Sequence, residues 1–227
     1  MINLYNKFLN IRNHLNVLFN QLQAINIANF NELPLQLQNM VIGDDLISLV
    51  LNRSIQHLSA DDLCSVTIIG ANTFRYCTNL TSVTIPDSVT SIGNYAFRYC
   101  TNLTSVTIPD SVTVIRDYVF ADCAKLTSIT IPDSVITITT RAFANCYNLT
   151  TVIIGNGIKY INGNPFNQCS EKLNIYLYQI VPPTLDSGLS IPATATIHVP
   201  IGSGESYKSA TNWSYRSKNI VEDIVIE

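Results

Sequence analysis

Along residues 63–177, apolar and polar positions follow a pattern that restarts every 23 residues. In the unit 79–101, Leu80, Val83 and Ile85 are apolar while Ser82 and Thr84 are polar, the alternation of a half-buried strand. The "IPDS" that follows breaks the strand, since Pro86 fixes φ and Asp87 can bond the backbone ahead of it. Val89 and Ile92 form a second apolar pair. Ala96, Phe97 and Cys100 then recur at spacings that predict a short helical turn with one buried face. Each unit thus reads as strand, turn, second extended piece and helical turn.

Two residue types announce the period most plainly: Phe74, Phe97, Phe120, Phe143 and Phe166, and Cys77, Cys100, Cys123, Cys146 and Cys169. A fixed period of this length marks a solenoid, because one unit cannot bury its apolar side alone and stacked copies can. At about 4.8 Å per rung, five rungs span about 24 Å. The array opens with a partial copy at residues 63–77. The unit from Asn148 loses the "IPD" element, and the next slips by one, Leu173 falling 24 residues after Leu149.

Before the array the periodicity changes. Leu4, Phe8, Ile11, Leu15, Leu18, Leu22 and Ile25 are spaced alternately by four and three, a heptad seam. It predicts a helix within residues 1–28 that self-associates as a short parallel coiled coil, dimer or trimer. The alternative is an amphipathic helix packed on its own chain. Pro34 breaks that helix, and residues 29–62 read as connector and N-terminal cap: Asp44 or Asp45 would start a second short helix, and Ser59 and Asp62 stand at the open end of the array.

Only 13% of residues are charged, with a net charge of −3, and no segment carries a basic patch. Nucleic acid and anionic membranes are thereby set aside as partners. No run approaches 18 consecutive apolar residues, so no membrane insertion is expected, and the N-terminus lacks the pattern of a secretory signal. The expected place of synthesis is a reducing cytosol.

The cysteine column invites three readings. Rung spacing alone does not forbid a disulfide, but stacked side chains point the same way and five cannot all pair. Zinc would need ligands clustered around one point, and His14, His57 and His198 lie in different segments. Buried reduced thiols are the expectation. Asp87, Asp110 and Asp133 also stack, where they could attract calcium or simply serve their turns. "GSGES" (202–206) is not a nucleophile elbow and "GNGIKYING" lacks the ending of a phosphate loop. Neither an enzyme nor a cofactor is expected.

What remains is surface. Ser82, Thr84, Ser105, Thr107, Ser128 and Thr130 line the outward side of the first strand, continued by Thr151, Ile153, Asn174 and Tyr176. On the helical-turn side, Arg75, Tyr76, Arg98 and Tyr99 form two Arg–Tyr pairs, residue types favoured as interface anchors.

The unit "LTSVTIPDSVTSIGNYAFRYC" resembles the BspA-type leucine-rich repeat, a family found on bacterial and protist surface proteins. In the tail, "VPPTL", "IHVPIGSGESYKSATNW" and "IVEDI" are similar to the C-terminal cap of such arrays, which would occupy residues 178–227. The resemblance implies a parallel-strand solenoid, a role in adhesion or protein binding, and no catalytic residues. The expected fold is therefore an α+β repeat solenoid preceded by a coiled-coil helix. The layout predicts a non-enzymatic phage virion fibre or decoration protein, anchored to other virion proteins through residues 1–60 and binding a host-surface protein or glycan through its repeats. The alternative is a surface or extracellular adhesin, or a protein-interaction module, of a bacterium or protist.

Overall fold

The structure is a computed structural model that describes residues 56–60, 63, 66–187 and 191–226. The heptad seam from Leu4 to Ile25, Asp44, Asp45 and Asp62 lie outside the described residues. In chain order the strands are β1 (His57–Leu58), β2 (Ile68–Ile69), β3 (Ser82–Thr84), β4 (Ser91–Ile92), β5 (Ser105–Thr107), β6 (Val114–Ile115) and β7 (Ser128–Ile131). They continue with β8 (Thr137–Ile138), β9 (Thr151–Ile154), β10 (Tyr160–Ile161), β11 (Asn174–Leu177), β12 (Thr184–Leu185), β13 (Thr196–Pro200) and β14 (Ile220–Ile224).

These strands wind into a solenoid of about 7 turns with all pairing parallel. The first strand of each unit builds one side, as β1-β3-β5 and then β7-β9-β11-β13-β14. The second extended pieces build another, as β2-β4 and β6-β8-β10-β12. Ser82 stands opposite Ser105, Val83 opposite Val106 and Thr84 opposite Thr107, so identical residues ladder. The slip at Leu173 is local. Asn174 pairs with Thr151 and Ile175 with Val152, so one residue added before Leu173 is recovered within the same rung.

The third side corrects the expectation of a helical turn. Residues 93–100 form no α-helix; their amides alternate between two kinds of acceptor. Ala96, Arg98 and Cys100 bond back to Gly93, Tyr95 and Phe97, three residues away, while Tyr95, Phe97 and Tyr99 bond forward to Asp117, Val119 and Ala121 on the next rung. This alternation requires a left-handed residue at two places per unit: Tyr95 (φ 62) and Tyr99 (φ 63), Tyr118 (φ 55) and Asp122 (φ 63), Arg141 (φ 51) and Asn145 (φ 61). Such backbone is unusual for non-glycine residues. Here the inter-rung amide bonds hold it. Apolar spacing suited to a helix suits this turn ladder equally, because both bury one face. The described chain is consequently mostly β rather than α+β, its α-helix being α1 (Gly204–Ser209) with a 3-10 helix at Ser214–Asn219.

The core is a bundle of columns. Successive phenylalanine rings stack with centroids 5.0, 5.3, 5.6 and 5.7 Å apart from Phe74 to Phe166. The five column cysteines run beside them as free thiols; four are buried and Cys169 is half-buried. Each thiol from Cys100 onward donates to a phenylalanine carbonyl of the previous rung, Cys123 Sγ to Phe97 O at 3.3 Å for example. The column thus serves packing and rung-to-rung bonding. Burial pushes the Cys77 and Cys169 thiols up to about 12 and raises the three between them well above the ordinary thiol value too. Only thiolate reacts with disulfide reagents, so these thiols are expected to resist an aromatic disulfide reagent at pH 7.5 in the native chain and react within seconds in 6 M guanidinium. Fast native labelling of more than one thiol per chain would contradict the packing, since the sixth cysteine, Cys64, lies outside the described residues. Because folding raises these pKa values, the stability they contribute is intact below the ordinary thiol value of about 8.5. It is lost as pH climbs from there toward about 12.

Beyond β13 the chain turns through α1 and the 3-10 helix to lay β14 along the last rung. Tyr207 and Trp213 are fully buried there, edge to face at 5.0 Å. Trp213 Nε1 donates to Pro183 O at 2.7 Å and the Tyr207 hydroxyl to Gln179 O at 2.9 Å. Glu222 Oε1 accepts the amides of Gly202 and Gly204, at 2.9 and 2.8 Å.

Candidate functional site

The turn side carries three adjacent columns. The first, left-handed, runs Asn72, Tyr95, Tyr118, Arg141, Asn164; the third, also left-handed, runs Tyr76, Tyr99, Asp122, Asn145, Gln168. Between them stand Arg75, Arg98, Ala121, Ala144 and Asn167. Because the backbone repeats, side chains in a column meet their copies. Tyr76 stacks on Tyr99 at 4.8 Å and Tyr95 on Tyr118 at 5.0 Å.

The arginines thread between these rings. The Arg98 guanidinium lies 4.6 Å from the Tyr99 centroid and 5.0 Å from that of Tyr118, and Arg75 lies 4.8 Å from Tyr76. Such contacts stabilise a cation by about 0.5–1 kcal/mol at exposed sites. Arg98 Nε also pairs with Asp122 Oδ2 at 2.9 Å, and Asp122 Oδ1 accepts from Asn145 Nδ2 at 2.7 Å. Partial burial works against the Arg98 charge, but the Asp122 hydrogen bond and the neighbouring tyrosines outweigh it, so its pKa rises. The structure therefore brings Arg75, Tyr76, Arg98 and Tyr99 into one ladder and joins Tyr95, Tyr118, Asp122 and Arg141 to it. Those four were not singled out from the sequence. Aligning the units column by column is the signal that finds them.

Where the middle column changes from arginine to alanine, the ladder opens into a cleft of about 210 Å³. Arg98, Tyr118, Asp122, Arg141, Asn145, Asn167 and Gln168 line it, with Ala121 and Ala144 at its base.

On the strand side, Thr84, Ser105, Thr107, Ser128 and Thr130 are exposed, while Ser82, Thr151, Ile153, Asn174 and Tyr176 are half-buried. The strip ends at His198, which stacks on Tyr176 at 4.2 Å; its Nδ1 lies 2.7 Å from Asp223 Oδ2 and its Nε2 lies 3.1 Å from Asn174 Oδ1. At the "IPDS" turns the serines bridge rungs, Ser88, Ser111 and Ser134 donating to Val66, Val89 and Val112 carbonyls. Asp133 Oδ1 accepts the Asn156 amide of the next rung, not one in its own turn. Among the described residues no three His, Cys, Asp or Glu side chains converge as metal ligands, and no helix is long and apolar enough to cross a membrane.

Residues 67–181 match the model of the BspA type leucine-rich repeat region, in six copies. A leucine-rich cell surface protein of Faecalibacterium prausnitzii A2-165 is similar at 33% identity and a TM-score of 0.51, over 54% of this chain and 32% of that one. The pneumococcal vaccine antigen PcpA shares the fold at a TM-score of 0.60 and 17% identity, over 76% of this chain and 42% of that one. The match therefore spans less than half the length of either protein. No curated protein matches the chain.

Proposed function

Because the chain belongs to the BspA type leucine-rich repeat family, we propose that it is a non-catalytic binding module of the bacterial cell-surface kind, engaging a glycan or protein through its turn face. The observation that carries this reading is the Arg–Tyr ladder from Arg75 to Arg141. It consists of anchor-type side chains held rigidly by stacking and by the Arg98–Asp122 pair, and it lies outside the apolar core. The similarity to a cell surface protein supports the location. The virion-fibre reading draws on the layout of residues 1–60, of which the structure describes only 56–60.

The array itself supplies substitutions that its backbone accepts. Asn145 occupies the Tyr99 position two rungs on and Ala121 the Arg98 position one rung on. Tyr99→Asn with Arg98→Ala is expected to lower binding of fluorescently labelled full-length chain to mucin-coated plates and to cultured epithelial cells at least 5-fold. Thr84→Lys with Thr107→Lys, on the strand strip, should change it less than 2-fold. The opposite ranking would move the binding surface to the hydroxyl strip.

A further inference from the structure

We infer that the cleft beside Arg141 is a subsite for an acidic sugar residue, one that carries a carboxylate next to hydroxyl groups. This rests on reading the turn face as the binding surface and adds the ligand class.

The cleft originates in a vacancy. Arginine fills the middle column at Arg75 and Arg98; the next two rungs place alanine there, and Asn167 closes the far end. Two missing side chains leave a slot two rungs long, about 10 Å at strand spacing, which suits one or two sugar rings. Ala121 and Ala144 are themselves buried, so beside Tyr118 the slot presents polar groups: guanidinium, carboxylate and amide.

Charge and hydrogen-bonding capacity then specify the guest. The Arg98 charge is answered by Asp122. Arg141 is exposed, its contact being the Tyr118 ring 6.0 Å away, and no side-chain hydrogen bond or ion pair engages its guanidinium among the described residues. The slot therefore holds two cations and one anion. Its uncompensated charge sits on a planar fork that recognises carboxylate by paired hydrogen bonds. Asn145 spends its Nδ2 on Asp122 and keeps its Oδ1 as an acceptor, while Asn167 and Gln168 present further amides at the far end. Amides beside a guanidinium match the hydroxyls flanking a sugar carboxylate. A protein anchor would instead call for an apolar pocket to seat an aromatic or aliphatic side chain, and this slot offers none.

The test titrates the full chain with sialyllactose and a glucuronic-acid-containing tetrasaccharide, with lactose and maltotetraose as neutral counterparts and an aspartate-rich peptide as the protein-derived alternative. The acidic saccharides are expected to bind at least 10-fold tighter than the neutral ones. Arg141→Gln should remove that preference. Ala144→Arg, which restores the side chain found at Arg75 and Arg98, should abolish binding by filling the slot although it adds positive charge. If Ala144→Arg leaves acidic binding equal or stronger, attraction is diffuse and the subsite is overturned. Equal binding of neutral sugars, preference for the peptide, or no saccharide binding at all would overturn it too. In each case the turn-face reading is judged separately, by the plate and cell comparison of Tyr99→Asn with Arg98→Ala.

Discussion

Phe120→Ala is expected to destabilise the full-length chain by about 3–5 kcal/mol, the range for truncating a buried aromatic ring. Phe120 is 0% exposed, with Phe97 on one side at 5.3 Å and Phe143 on the other at 5.6 Å. Neither ring can close the gap. Both backbones are pinned by inter-rung bonds, Phe97 N to Val119 O at 2.9 Å and Phe143 N to Pro165 O at 2.8 Å, so the cavity persists instead of collapsing. Position matters as much as volume. In an array whose rungs touch only neighbours, a weak rung at the centre uncouples the two halves. Guanidinium denaturation followed by far-UV circular dichroism should show a lower midpoint and a broadened transition. A loss below about 1.5 kcal/mol would mean that the ladder relaxes far more readily than these bonds allow.

Trp213→Ala should cost a similar amount, about 3–5 kcal/mol, with a different spatial signature. Trp213 closes the C-terminal end by packing on Tyr207 and donating to Pro183 O. Its loss leaves that carbonyl without its donor and uncovers the last rungs. Hydrogen exchange in β13 and β14 is therefore expected to accelerate first and most, whereas the amides of Phe97 and Phe120 keep their protection until global unfolding. Uniform acceleration along the chain would contradict an end-local role.

The strand half of each unit was plain in the sequence because alternation at period two has one structural meaning when a turn follows it: Val83 and Ile85 point in, Thr84 points out. The Phe and Cys columns were equally plain, since period and apolarity agree. The third side was not. Ala96, Phe97 and Cys100 fit a helical face, and nothing in their chemistry reveals left-handed tyrosines at 95 and 99, whose conformation depends on hydrogen bonds to a rung 22 residues ahead. The same blind spot hid the site. Arg98 is legible as an anchor, but its pairing with Asp122 and the cleft below it depend on which copies sit next to each other. The heptad seam from Leu4 to Ile25 lies outside the described residues, and self-association through it stays a separate expectation.

The alanines at 121 and 144 make the cleft an omission written into an otherwise uniform scaffold. Such a gap is portable. Duplicating or deleting a whole 23-residue copy upstream would carry it one rung along the body without disturbing the columns that hold the fold. Placing alanine in a different pair of copies would move it just as easily. A lineage of such arrays could therefore relocate, lengthen or erase its binding slot by recombination between copies, searching ligand space while its core stays the same.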